Sequence, residues 1–312
     1  MMNREGSALT GFSTVFFKEL RDNVGSARML VLTSLIILTA VASFYNAAKT
    51  ILGETVEDQF LLLSLFTLSE GAVPSFAAFL GFLVPLAGIA AGFDMINSEF
   101  QKRTMGRILS FPIYRDALLF GKVSGALSAL AIILLSLWLL VMGGAMLVFG
   151  IPPTGEQVAR AVAFLLITLL YGAVWFVLAM LFSVLFRQPA TAALVSIAVW
   201  LFFTVFWPMI AGLTAESFSW LGELWTQKIY ISFSRISPNT LFGEATLAIL
   251  NPSTRTLGPV LFSQLQGAEM GSPLPFFQSI LLIWPQLTAL CAEFLLVFTY
   301  AYIRFQRQEI RA

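Results

Sequence analysis

The sequence predicts an all-α polytopic membrane protein: six transmembrane helices, an N-terminal interfacial helix, and short extracytoplasmic helices before the last span. Three observations predict it. Hydrophobic residues make up 58% of the 312 residues and charged ones 11%, whereas soluble domains carry about 25% charged residues. Six apolar segments each offer the roughly 20 residues that cross a hydrocarbon core. Lys and Arg are shared unevenly between the connecting segments, which distinguishes the two faces. The net charge of +1 says nothing of nucleic acid, and no such partner is expected.

The N-terminus lacks the apolar core and small-residue cleavage site of a signal peptide. Phe12 to Val24 places Phe12, Val15, Phe16 and Leu20 at helical spacing, with Lys18, Glu19, Arg21 and Asp22 between them. That pattern fits an amphipathic helix lying along a leaflet, or else the frayed start of the first span. Gly25 and Ser26 supply a bend. The first span lies between Arg28 and Lys49, where no charge occurs. Lys49 to Glu70 is acidic (Glu54, Glu57, Asp58, Glu70) around Phe60 to Leu68, an apolar run too short to cross and expected to pack on the outer surface.

The second span, from about Ala72 to Phe93, contains Pro74, Gly81, Pro85, Gly88 and Gly92, so its backbone can bend and approach neighbours closely. The third lies within Leu118 to Phe149 and begins with Gly121 and Gly125 at close-packing spacing. Ile151-Pro152-Pro153 closes it. The fourth falls between Arg160 and Arg187 and the fifth between Arg187 and Glu216. Only Arg187-Gln188-Pro189 joins them, so they form an antiparallel hairpin. In the segment Ala211 to Phe277, Phe218, Leu221, Leu224, Trp225 and Tyr230 suggest an aromatic amphipathic helix. Ser237-Pro238 opens a second helix, Asn239 to Leu250, which Asn251-Pro252 stops. The sixth span lies within Phe276 to Ile303, followed by Arg304, Arg307 and Arg311.

With both termini inside, thirteen basic residues fall on the inner face: Arg4, Lys18, Arg21, Arg28, five between Asp94 and Lys122, Arg187 and the three of the tail. Five fall outside: Lys49, Arg160, Lys228, Arg235 and Arg255. That asymmetry and the even number of spans predict cytoplasmic N- and C-termini. A single transmembrane domain, 1–312, is therefore expected to have residues 1–26, 94–122 and 304–312 on the cytoplasmic side and 211–277 outside.

Histidine is absent and Cys291 is the only cysteine. That excludes disulfides within the chain, Cys/His zinc sites, His-based triads and His-dependent intramembrane metalloproteases, so no metal site and no catalytic residue is expected. No G-x-x-x-x-G-K-[ST] occurs, and Gly121-Lys122-Val123 lacks the upstream glycine and the hydroxyl. The chain is not expected to be an enzyme; any ATP-driven motor is a separate polypeptide. Glu293 is the only acid in the apolar body of the sixth span, about 16 Å from Arg304 at helical rise. It is a candidate for ion or substrate contact, or else a protonated packing residue.

The stretch Asp94 to Lys122 carries Lys102, Arg103, Arg107, Arg115 and Lys122 against Asp94, Glu99 and Asp116. A short amphipathic helix, Thr104 to Leu109, followed by a turn at Pro112, makes either a charged knob for a cytosolic partner or an ordinary basic loop. The pattern Glu99-x4-Thr104-x7-Pro112-x2-Arg115-x5-Gly121-Lys122 resembles the loop between spans 2 and 3 of type-2 ATP-binding-cassette (ABC) exporter permeases, with E-R-E-x-G-T-L, a P-x-R turn and G-K. FFKELRDNVGSARML is similar to that family's N-terminal K-E-[FL]…R helix, and SPNTLFGEATLAILNP to its short helix before the last span.

The resemblance implies the permease subunit of an ATP-coupled exporter in the inner (plasma) membrane. It implies a homodimer of permease chains with two cytosolic ABC ATPase subunits that bind ATP and Mg. Carried over, Lys18, Glu19, Glu99, Lys102, Arg103, Thr104, Arg107, Pro112 and Arg115 are the positions that couple to the ATPase. Gln101 stands where the family often has a second Glu, and Arg103 where it often has Gly, which counts against the usual glycine turn. The alternative is an ion-coupled secondary transporter or channel using Glu293.

Overall fold

A computed structural model describes residues 11–53, 60–68, 74–104, 106, 113–150, 152–258 and 273–308. Every regular element among them is helical. Six helices are long and apolar enough to cross a membrane: α2 (Ala27–Gly53), α4 (Phe76–Gly92, leading through a turn into the short α5, Asn97–Gln101), α6 (Arg115–Phe149), α7 (Gly155–Leu185), α8 (Pro189–Ser217) and α11 (Phe276–Gln306). The expected six-span order is therefore present.

Helices α4 and α7 form the centre. Each buries 61% of its most apolar window, against 11% for α8 and 17% for α11, so the latter two lie at the edge of the bundle. Two glycines set the central contact. A Cβ at Gly88 would stand 2.5 Å from the Gly172 carbonyl oxygen, and one at Gly92 would stand 2.5 Å from that of Phe176. Backbone meets backbone there, which is how helices associate in lipid, where burying apolar surface gives no advantage.

The N-terminal helix α1 (Phe12–Val24) is separate from the first span, since Gly25 closes it and Ser26 Oγ accepts from Met29 N (3.4 Å) at the start of α2. It is clamped along the first turns of α6, where a Cβ at Gly121 would lie 2.9 Å from the Val15 Cβ. The glycine pair of the third span therefore receives α1 and not another span.

At the opposite end, Leu61–Thr67 forms α3, with Leu62, Leu63, Leu65 and Phe66 buried. The Phe66 ring packs 5.6 Å from Phe76 and 5.7 Å from Phe164. This run was expected on the outer surface; it is instead wedged into the core, because four of its apolar side chains find partners there. The acidic positions Glu54, Glu57, Asp58 and Glu70 lie outside the described residues.

Helix α8 carries a π-helical stretch, Phe202–Phe206. Pro208 has no N–H to give the Thr204 carbonyl, and Trp207 N instead reaches back to Phe202 O. Beyond α8, α10 (Pro238–Leu250) matches the second expected helix, whereas the first is broken at Gly222 (φ +95°): α9 (Glu223–Ser234) carries Leu224, Trp225 and Tyr230, and Phe218 and Leu221 belong to the short turn before it. They differ in packing: Leu241, Phe242, Ala245 and Ile249 of α10 are buried, while Phe218, Leu221, Leu224, Trp225 and Tyr230 all stay exposed.

Arg160, counted from the sequence among the outer-face cations, is fully buried. Its guanidinium donates to Ile249 O (3.0 Å), Ser279 Oγ (3.1 Å), Leu274 O and the Glu156 carboxylate (2.9 Å). It thereby ties α7 to α10 and α11.

The glycine contacts give a paired test. Gly92→Ala drives a methyl into the α7 backbone and should cost about 1–3 kcal/mol. Gly143→Ala, where a Cβ meets nothing within 4 Å, should gain about 0.5–1 kcal/mol from the lower flexibility of alanine. Thermal melts of the purified full chain in detergent should move in opposite directions.

Candidate functional site

Most of the residues singled out from the sequence meet at the end of the bundle that carries α1. Because α1 sits backbone-close on α6, Glu19 faces Lys122: a Cβ at Gly125 would be 2.9 Å from the Glu19 Cβ. Lys122 Nζ lies 2.6 Å from Glu19 Oε1 and 3.3 Å from Glu99 Oε1. Lys18 Nζ joins the same set, at 2.9 Å from Glu19 Oε1, 3.3 Å from Asp22 Oδ2 and 3.7 Å from Glu99 Oε1. The inner part is dry, with side-chain exposures of 3% for Lys122, 9% for Glu19 and 13% for Glu99. Burial opposes the charge of Lys18, but Glu19, Glu99 and Asp22 outweigh it and hold the ammonium above its ordinary pKa.

Glu99 also organises the turn that follows α5. Thr104 N donates to Glu99 O (2.9 Å), and Thr104 Oγ1 to that carbonyl (3.2 Å) and to Glu99 Oε2. Between them Arg103 adopts φ +55°, the left-handed region that favours glycine. The turn is therefore the kind a glycine makes, with arginine in its place. Gln101, Lys102 and Arg103 are all exposed.

The segment is anchored on both sides. Arg28, at the start of α2, ion-pairs with Asp94 and places its guanidinium 4.9 Å from the Phe93 ring centre. Ile96 N and Asn97 N both donate to Ser183 Oγ near the end of α7 (2.9 and 3.1 Å). Arg115 lies apart from the Lys122 network, where its Nη1 donates to Gln306 O (3.0 Å) and Gln308 O (3.3 Å). The adjacent Asp116 accepts from Tyr302 Oη (2.8 Å) and Gln306 Nε2. These bonds join the start of α6 to the end of α11. A polar cavity of about 800 Å³ opens between the joints, lined by Asn97, Phe100, Gln101, Ser183, Arg187 and Gln308 among others.

Lys18, Glu19, Glu99 and Thr104 thus form one cluster, Lys102 and Arg103 sit on its exposed turn, and Arg115 serves a second junction. Arg107, Pro112 and the helix expected from Thr104 to Leu109 lie outside the described residues. Glu293 is far along α11, where its neighbours Ala289, Leu290 and Phe294 pack toward Val174, and its Oε2 has no hydrogen-bond partner among the described residues. No group of His, Cys, Asp and Glu among the described residues is arranged to hold a metal.

Sequence reasoning missed the role of Lys122 and the anchors Arg28, Ser183 and Asp116. The only signal for Lys122 was its place beside two close-packing glycines, Gly121 and Gly125, which announce a close neighbour without naming it.

Lys122→Met leaves Glu19 and Glu99 facing each other without their buried cation and is expected to cost about 3–5 kcal/mol. Adding Glu19→Gln should recover part of that, so a melting-temperature cycle would show the two changes to be non-additive. Arg103→Gly removes a left-handed strain worth about 1–2 kcal/mol. It should raise the melting temperature of the chain, whereas Arg103→Val should lower it.

No curated protein matches the sequence. A family model described as ABC-2 family transporter protein matches residues 13–310, which takes in every helix above except the first residue of α1. A six-span bundle with a charged cluster at one end and this match across nearly its whole length lead to one conclusion: the chain belongs to the ABC-2 transporter family, as a membrane permease component of an ABC transporter.

Proposed function

We propose that the chain is the permease subunit of an ATP-driven exporter, working as a homodimer with two separate ATP-binding subunits in the inner (plasma) membrane. The α1 end faces the cytoplasm, and ATP and Mg belong to the partner. One observation carries this reading. The exposed turn Gln101–Arg103 rests on Glu99, and Glu99 is held inside the bundle by Lys122 of α6 and by Lys18 of α1. Force applied to that turn meets a rigid joint between three helices instead of a slack loop, as a mechanical coupling element requires.

The excess of basic residues at this end favours a cytoplasmic position. The polar cavity beside the turn offers room for a protruding element of the ATPase. The thinly packed edge helix α8, only 11% buried in its apolar window, leaves a long apolar face for a second permease chain.

Coexpression with an ATP-binding subunit tests the proposal. Lys102→Glu with Arg103→Glu reverses two exposed charges and leaves Glu99, Thr104 and Lys122 untouched. It should reduce copurification of the ATPase and permease-stimulated ATP hydrolysis about tenfold, the worth of roughly 1.4 kcal/mol, with the melting temperature of the permease unchanged. The intact complex should have the mass of two permease and two ATPase chains. Gradient-driven flux through the purified chain alone, abolished by Glu293→Gln, would overturn this reading.

A further inference from the structure

A cavity of about 490 Å³ lies at the end of the bundle away from α1, between α4, α8 and α10 with Tyr171 of α7 as its floor. None of the described residues that line it is charged. Its polar side chains are bonded to one another: Tyr171 Oη donates to Gly81 O (2.9 Å), and Asn239 Nδ2 donates to Thr204 Oγ1 (2.8 Å). Such walls call for no particular ligand.

The last span is different, because it carries a polar line that the charged cluster does not use. Ser279, Gln286, Glu293, Tyr300 and Arg307 recur at seven-residue intervals along α11. That interval drifts by only about 20° per step on a straight helix, so these residues stay close to one face. The two members farthest from α1 are taken up inside the bundle, where Ser279 Oγ accepts from Arg160 (3.1 Å) and Gln286 Nε2 donates to Glu244 Oε2 (2.7 Å). Toward the α1 end the line emerges: Glu293 is half-buried, Tyr300 is 50% exposed and Arg307 is exposed.

Arg304 joins the emerging end, one turn beyond Tyr300 and also exposed. Tyr300, Arg304 and Arg307 make no hydrogen bond or ion pair with a described residue. Other cations at this end are committed: Lys18 and Lys122 to Glu19 and Glu99, Arg28 to Asp94, and Arg115 to the carbonyls of Gln306 and Gln308. Asp116 is held by Tyr302 and Gln306, which turn toward α6, so Arg304 and Arg307 point away from that carboxylate. Beside them runs an apolar line, Leu296 and Ile303, exposed by 71% and 41%. Two free guanidinium groups thus stand at the end of a span, with a phenol one turn further in and an apolar track alongside. Guanidinium forks match the geometry of a phosphate, and basic groups at a membrane surface attract anionic lipids.

We propose that this face of α11 binds one anionic phospholipid from the leaflet at the α1 end. Its phosphate lies between Arg304 and Arg307, the Tyr300 hydroxyl donates to an ester carbonyl of its glycerol region, and one chain follows Ile303 and Leu296. Charge selects the occupant, since a zwitterionic head would bring its own cation against the two arginines. Glu293, about 16 Å from Arg304 at helical rise, is too deep to meet the same head. The site holds whichever polypeptide drives the protein.

The delipidated full chain in neutral detergent would be titrated with phosphatidylglycerol and phosphatidylcholine of equal chains and followed by native mass spectrometry. Phosphatidylglycerol should saturate at one molecule per chain, and phosphatidylcholine should be retained far less. Arg304→Gln and Arg307→Gln should each weaken phosphatidylglycerol binding about fivefold and together about 25-fold, the worth of basic residues beside an anionic lipid. Tyr300→Phe should weaken it about fivefold, the worth of one hydrogen bond. The melting temperature without lipid should not move in these variants, because the side chains are exposed and unbonded. The rise that phosphatidylglycerol gives the wild type should be lost in the double arginine variant. Arg21→Gln, which removes an exposed cation elsewhere at this end, should leave binding unchanged, and excess inorganic phosphate should not displace the lipid. Equal retention of the two lipids, undiminished binding in the double variant, a loss in Arg21→Gln as large as in Arg304→Gln, or displacement by phosphate alone would overturn the proposal.

Discussion

The arrangement at the α1 end depends on how Lys122 is kept charged inside a helix contact. An ammonium taken out of water loses several kcal/mol of solvation, and only close anions return it. Glu19 and Glu99 are those anions, and they come from different elements, α1 and α5. Lys122 can therefore be buried only if α1 lies on α6 and the segment after α4 folds back over both. The glycines at 121 and 125 permit that approach sterically, and the charges make it specific. A hydrophobic residue at 122 could pack equally well against other apolar faces, whereas the lysine accepts a single arrangement.

The opposite end uses the same device with a different ion. Arg160, fully buried, is met mainly by carbonyl and hydroxyl oxygens from α10, α11 and the segment before α11, with Glu156 as its one carboxylate among the described residues. Its planar fork of donors suits several fixed acceptors at once, which a lysine could not match. The bundle is thus fastened at both ends by buried cations and along its middle by the glycine contact of α4 with α7. Between these fixed points, α8 turns most of its apolar window outward and is tied to α9 by the Trp207 Nε1–Phe233 O bond (2.9 Å).

The six spans were legible in the sequence because length and apolar character alone decide whether a helix can cross a membrane. The helix at Pro238 was legible because Ser-Pro and Asn-Pro mark its two ends. What could not be read was which surfaces meet. Gly121 and Gly125 announce a close neighbour without naming it, and the neighbour is α1. Lys122 and Arg160 read only as basic residues of an inner and an outer connecting segment; each is buried because acceptors distant in sequence converge on it. Arg103 illustrates another limit. A turn that accepts a left-handed residue does not require glycine, so the missing glycine did not mean a missing turn. The cavity was invisible for the same reason as the ion network: Ala77, Tyr171 and Phe242 are ordinary residues of apolar helices until the fold brings them to one place.

The charged cluster and the uncharged cavity lie at opposite ends, yet α4 and α7 reach both. Ala77 and Phe82 of α4 and Tyr171 of α7 line the cavity, while the segment after α4 carries Asp94 and Glu99 and is bonded to Ser183 of α7. Because Gly88 and Gly92 bring these two helices into backbone contact, sliding one past the other would force carbonyls into Cα atoms. The segment carrying Glu99 and the cavity wall are therefore linked through one close-packed helix pair. The remaining walls of the cavity are α8, thinly packed and interrupted by its π-helical stretch, and α10. The cavity thus lies where this close-packed pair meets a helix that turns most of its apolar window outward.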